Sequence, residues 1–101
     1  MARIEARVMR GRDIDKFALG VGDIPVFVKA GRNTVTVSMD SCGVGRVTLF
    51  DPSVRTTRHE GQNLVSAYNG RVVLDQRVEE GEAVTVRRGK FALVVGNVSG
   101  K

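Results

Sequence analysis

The feature that most constrains this chain is a two-residue hydrophobic repeat. Val35, Val37 and Met39 alternate with Thr34, Thr36 and Ser38, which puts apolar and polar side chains on opposite faces of a pleated strand. Ile24, Val26 and Val28 repeat the pattern, with Pro25 marking a strand start or an edge. Val47 with Leu49, Val65 with Ala67, Val72 with Leu74, Val84 with Val86, and Phe91 with Leu93 and Val95 continue it. Val is the commonest residue, with 18 copies, and its stiff, β-branched side chain suits a half-buried pleated surface. Near the start, Ile4, Ala6 and Val8 alternate with Arg3, Glu5 and Arg7. That spacing favours a strand or extended arm, although Ile4 and Val8 also stand as far apart as one face of a short helix requires.

Turn chemistry separates these segments. Tyr68-Asn69-Gly70-Arg71 is the strongest local signal, because Asn-Gly tolerates the two positive φ angles of a tight hairpin. Arg87-Arg88-Gly89-Lys90 reads as a second hairpin, Glu79-Glu80-Gly81-Glu82 as a turn, and Lys29-Ala30-Gly31-Arg32-Asn33 as the break between two core strands. Asp51-Pro52-Ser53 opens an irregular stretch reaching Asn63, and residues Gly11 to Gly22 read as an extended segment. No helical segment separates the strands, so a parallel α/β fold is excluded.

The expectation is an all-β fold: a single antiparallel β-sandwich, jelly-roll-like, with about eight strands and an extended N-terminal arm. Residues 1–22 are read as the basic N-terminal strand or arm and its linker, and 23–101 as the sandwich domain. Two segments, Val28-Lys29-Ala30-Gly31-Arg32-Asn33-Thr34-Val35-Thr36-Val37 and Gly89-Lys90-Phe91-Ala92-Leu93-Val94-Val95, resemble the strand framework of the bacterial pre-peptidase C-terminal domain. The resemblance implies a sandwich. It implies no ligand site, because Gly45-Arg46-Val47-Thr48-Leu49 stands where that family carries an acidic motif.

Charge narrows the functional classes. The 101 residues carry 16 Lys and Arg against 11 Asp and Glu, a formal charge of +5. Twelve of the cations are Arg, whose planar fork suits carboxylates and phosphates and so points to an acidic partner. Most are scattered, but Arg3, Arg7, Arg10 and Arg12 cluster, opposed only by Glu5 and Asp13. They read as an arm that lies on an acidic surface. No apolar run reaches the roughly 18–20 residues of a membrane span, and no apolar stretch follows the basic N-terminus as a secretory signal requires.

The chemistry-bearing residues are sparse. One Cys precludes an internal disulfide, and with one His it leaves no zinc cluster. Cys42 sits after a strand and His59 beside Glu60 in the irregular stretch, and neither carries a nucleophile or base signature. Asn97-Val98-Ser99 fits a glycosylation sequon, which is read as accidental without an export signal. No enzyme, cofactor or metal is expected.

Phe27 and Phe50 fall out of phase with their apolar neighbours and are expected to face outward. Val26-Phe27-Val28, Val72-Val73-Leu74 and Phe91-Ala92-Leu93-Val94-Val95 are apolar on both strand faces, which suggests cover by an arm or by another subunit. The function expected is therefore a non-enzymatic structural protein in a large assembly, in particular a virion accessory such as a capsid decoration or cement subunit. It would be located in the virion after assembly in the host cytoplasm, with a cytoplasmic location as the alternative. Its partners would be protein subunits with acidic surfaces, in a homo-oligomer or hetero-assembly, through Arg3, Arg7, Arg10, Arg12, Phe27 and Phe50. The alternatives are a ligand- or glycan-binding sandwich of a secreted system and a basic nucleic-acid-binding β-barrel.

Overall fold

The computed structural model describes residues 2–53, 55–61, 63–68 and 70–99, with 55–60 and 63–68 described by their backbone. The alternating segments fold as ten strands: β1 (Ala2–Arg10), β2 (Asp13–Leu19), β3 (Val26–Ala30), β4 (Asn33–Met39), β5 (Gly45–Asp51), β6 (Arg55–Glu60), β7 (Asn63–Tyr68), β8 (Arg71–Val78), β9 (Ala83–Arg88) and β10 (Phe91–Ser99). Eight of them make two four-stranded antiparallel sheets, ordered β2-β1-β10-β9 and β3-β4-β5-β8. The remaining pair, β6-β7, forms a ribbon that belongs to neither sheet. There is no helix among the described residues.

The sheets pack as a sandwich because each offers one apolar face. Ile4, Ala6 and Val8 of β1, Leu93 and Val95 of β10 and Val86 of β9 are buried on one side. They meet Val28, Val35, Val37, Val47, Leu49 and Val78 from the other sheet. Each fully buried Val or Leu is worth about 1.5–3 kcal/mol relative to exposure. Gly45 is buried in β5, and a Cβ there would overlap the Ile4 side chain, so the two sheets approach closely at that point.

Several expectations change. The strand order does not bear out a jelly roll, because consecutive strands mostly stay in one sheet and only the β2–β3 and β8–β9 connections cross over. The N-terminal residues are not a free arm. β1 is an interior strand, hydrogen-bonded to β10 from Ala2↔Ser99 to Arg10↔Phe91 and to β2 on its other side. The first 22 residues thus supply β1 and β2, half of one sheet. Asn69-Gly70 does not close a hairpin, since β7 pairs with β6 and β8 pairs with β5; Asn69 itself lies outside the described residues. The stretch from Asp51 to Asn63 contains a strand, β6. Val72 does not share the inward face of Leu74: the register shifts between Leu49 and Phe50, Val73 is left unpaired, and Val72 stands opposite outward-facing Phe50. Such a bulge turns every residue beyond it to the other face.

Candidate interaction surface

Three hairpins end side by side. β1–β2, β3–β4 and β9–β10 are each closed by a glycine and one basic residue: Gly11-Arg12, Gly31-Arg32 and Gly89-Lys90. The glycines take φ of 60°, 65° and 58°, which a two-residue hairpin loop requires at its first position. The tips touch. Within the first sheet Gly11 N–H donates to the Lys90 carbonyl at 3.4 Å, and across the sandwich Arg10 Nη2 donates to the Lys29 carbonyl at 2.9 Å. Arg10 reaches there because it continues the inward phase of Ile4, Ala6 and Val8. Its guanidinium lies 5.7 Å from the centroid of the Phe91 ring, within cation–π range.

A shallow concavity of about 450 Å³ opens there, lined by Arg10, Gly11, Lys29, Ala30, Gly31, Arg88, Lys90 and Phe91. The ribbon is rooted at this same end, where Asp51 of β5 faces Arg71 of β8. The cations Arg10, Arg12, Lys29, Arg32, Arg71, Arg87, Arg88 and Lys90 therefore gather at one end, against the carboxylates of Asp13 and Asp51. Asp51 is turned inward on its own loop: it accepts from Ser53 Oγ at 2.6 Å and Ser53 N–H at 2.9 Å. These bonds, helped by Arg88 and Arg32, hold its carboxyl below the usual carboxylate range.

The opposite end is acidic. Its loops carry Asp23, Asp40, Glu79, Glu80 and Glu82, with Glu5 and, in mid-strand, Asp75 on the adjoining strands, against Arg3, Arg46 and Arg77. Those three cations pair locally, Arg3 with Glu5, Arg46 with Asp75 at 3.4 Å and Arg77 with Glu79 at 3.5 Å. Asp40 accepts from Val44 N–H at 3.0 Å and Cys42 N–H at 2.8 Å. Those bonds, with Arg77 and Arg46 beyond them, hold its carboxyl below the usual range. Beneath the loops Asn97 is 1% exposed and donates from Nδ2 to the carbonyls of Gly43 and Val78, each at 2.9 Å. Folded this way, the sequon asparagine is closed to modification.

The chain matches no protein-family model, no curated protein and no solved structure. The resemblance to the pre-peptidase C-terminal domain therefore stands on its two strand segments alone.

The residues singled out in the sequence divide between places. Arg3 and Arg7 lie on the outer face of the first sheet, in the exposed phase of β1. Arg10 and Arg12 join the basic end. Phe27 faces out from β3 and is 68% exposed, beside Ile24 at 83%. Phe50 also faces out but is 37% exposed; its ring lies against Gly70, where a Cβ would overlap it, at the root of the ribbon. Lys29, Arg32, Arg88 and Lys90 are far apart in sequence, so no single segment marks them as neighbours. The available signal was the repeated Gly-basic hairpin tip.

Of the three runs apolar on both faces, Phe91–Val95 is covered by its own fold, with Phe91 and Ala92 buried. Phe27, Val72 and Val73 remain exposed. Cys42 is exposed before the start of β5 and His59 lies in the ribbon beyond its end. The seven residues of β5, about 23 Å at ~3.3 Å each, separate Cys42 from the root of the ribbon. No group of three metal-ligating side chains occurs among the described residues.

Proposed function

We propose that this protein is a non-enzymatic structural subunit that works through protein–protein contacts in a larger assembly. The β6-β7 ribbon carries the reading. It pairs with neither sheet, and a lone two-stranded ribbon is marginal in water, so a chain that keeps one gains most when a neighbour packs against it. Exposed Phe27 and Ile24 add apolar surface suited to burial. The finer form of the proposal is a capsid decoration or cement subunit, which would straddle joints between shell subunits through many modest contacts.

The fold offers a clean test. Asp51 and Arg71 are cross-strand partners, so residues 52–70 can be replaced by an Asn-Gly turn that closes β5 directly onto β8. Upon size fractionation of source cells or particles, the full chain is expected in a complex far larger than its 10.9 kDa. The ribbon-less chain is expected to drop out of that complex. A full chain that also elutes as a monomer would overturn the proposal. For the cement reading, the chain should co-sediment with virus particles and leave them at high salt.

A second reading, a polyanion-binding β domain, draws on the gathering of Arg12, Arg32, Arg88 and Lys90 at one end. It requires a nucleic-acid gel shift that disappears steeply as salt rises.

A further inference from the structure

We propose that the basic end is a docking surface for the acidic end of a second copy of this chain, so that the protein associates head to tail. The inference deepens the assembly reading above and rests on it. The formal charge of +5 conceals two poles, because the topology sends the Gly-basic tips one way and the acidic loops the other. Opposite poles on one molecule steer copies into a head-to-tail encounter, whereas two basic ends repel. Docked end to end, opposite poles make a heterologous contact, which grows into an open chain or closes as a ring.

Both surfaces rest on short loops. Arg12, Arg32 and Lys90 stand exposed on two-residue hairpin loops, so docking orders their side chains but little backbone. Glu79 and Glu80 stand on a turn fixed by Glu82: its N–H donates to the Glu79 carbonyl and its Oε1 accepts from Glu79 N–H, both at 2.8 Å. Nucleic acid fits less well. Strand-tracking sites pair cations with stacking aromatics, and Phe91, lining the basic concavity, is buried beneath Arg10.

The test is sedimentation of the full chain across concentration and salt, with two neutralised variants. One carries Arg12→Gln, Arg32→Gln and Lys90→Gln; the other carries Glu79→Gln and Glu80→Gln. None of these side chains packs in the core. At low ionic strength the native chain should exceed its monomer mass increasingly with concentration, and return to monomer in about 0.5 M salt. Each variant alone should associate about tenfold more weakly, the sum of a few exposed ion pairs. Mixed in equal amounts, they should form a one-to-one pair that grows no further, since each retains the end the other lacks.

A native chain that stays monomeric at low salt overturns head-to-tail docking. If it then shifts duplex DNA and the Arg12/Arg32/Lys90 variant does not, the basic end belongs to nucleic acid. Self-association that both variants retain but the ribbon-less chain loses overturns this contact and leaves the assembly reading standing. A monomer in sedimentation and in source fractions alike overturns both.

Discussion

Asn97 is the residue on which the acidic end of the sandwich turns. Its side chain crosses from β10 to the carbonyls of Gly43 and Val78, while its backbone N–H donates to Glu82 at 3.0 Å and its carbonyl accepts from Gly81 at 2.8 Å. One residue thus ties the first sheet to two loops and to the second sheet. The sequence held the clue: Phe91, Leu93 and Val95 set an inward phase, and Asn97 continues it. A polar residue at a core position needs partners that only the folded chain supplies, so its role was invisible before the loops were placed. Asn97→Ala strands two carbonyls while removing the side chain's own buried, unpartnered Oδ1, and the balance should destabilise the fold by about 1 kcal/mol. Urea unfolding measures it. A loss below about 0.5 kcal/mol, the lower bound for one ordinary hydrogen bond, would mean the clasp contributes little.

Among elements, strands with an unbroken alternation were legible and their partners were not. Val35, Val37, Val47 and Leu49 lie where their period placed them, all buried. β2 has no legible alternation because only Phe17 and Leu19 of its residues reach the core, the inward phase continues with Asp15 and Asp13, and Ile14 is 58% exposed. β6 has no apolar alternation at all in Arg55–Glu60. Asn69-Gly70 failed as a hairpin signal for a different reason: turn propensity is local, but β8 finds its partner in β5, across the whole ribbon. The limit is plainest at β1, whose alternation already favours a strand. Its phase was correct, yet nothing local reveals that it pairs with β10 at the far end of the chain. A deletion of residues 2–10 follows from this position. It removes Ile4, Ala6 and Val8, worth several kcal/mol of burial together, and unpairs both β2 and β10. That rivals the about 5–15 kcal/mol total stability of a small domain, so the truncated chain should be unfolded by circular dichroism and amide dispersion. A folded product would return β1 to the status of an arm.

At the scale of the molecule, neither the charge poles nor the ribbon could be read from segments taken singly. Tips and loops alternate between the two ends of an antiparallel stack, so cations distant in sequence, such as Arg12, Arg32 and Lys90, converge only once strand order is known. The ribbon leaves from that same pole and sets the dimensions. The chain extends 60 × 34 × 20 Å with a Cα radius of gyration of 16.2 Å, whereas a compact domain of this length has about 13 Å. A nine-residue strand spans only about 30 Å, and β1 and β10 are the longest strands present. The other half of the long axis matches the ribbon, which runs outward from Asp51 to its turn at Gly61, ten residues or about 33 Å of extended chain. Small-angle scattering should therefore give the dilute monomer, at salt high enough to suppress association, a radius well above the compact value. The chain with 52–70 replaced by Asn-Gly should fall to about 12 Å. Equal radii for the two would place the ribbon folded against the sandwich, and a contact surface that stands clear of the body would then have to be sought at the hairpin tips alone.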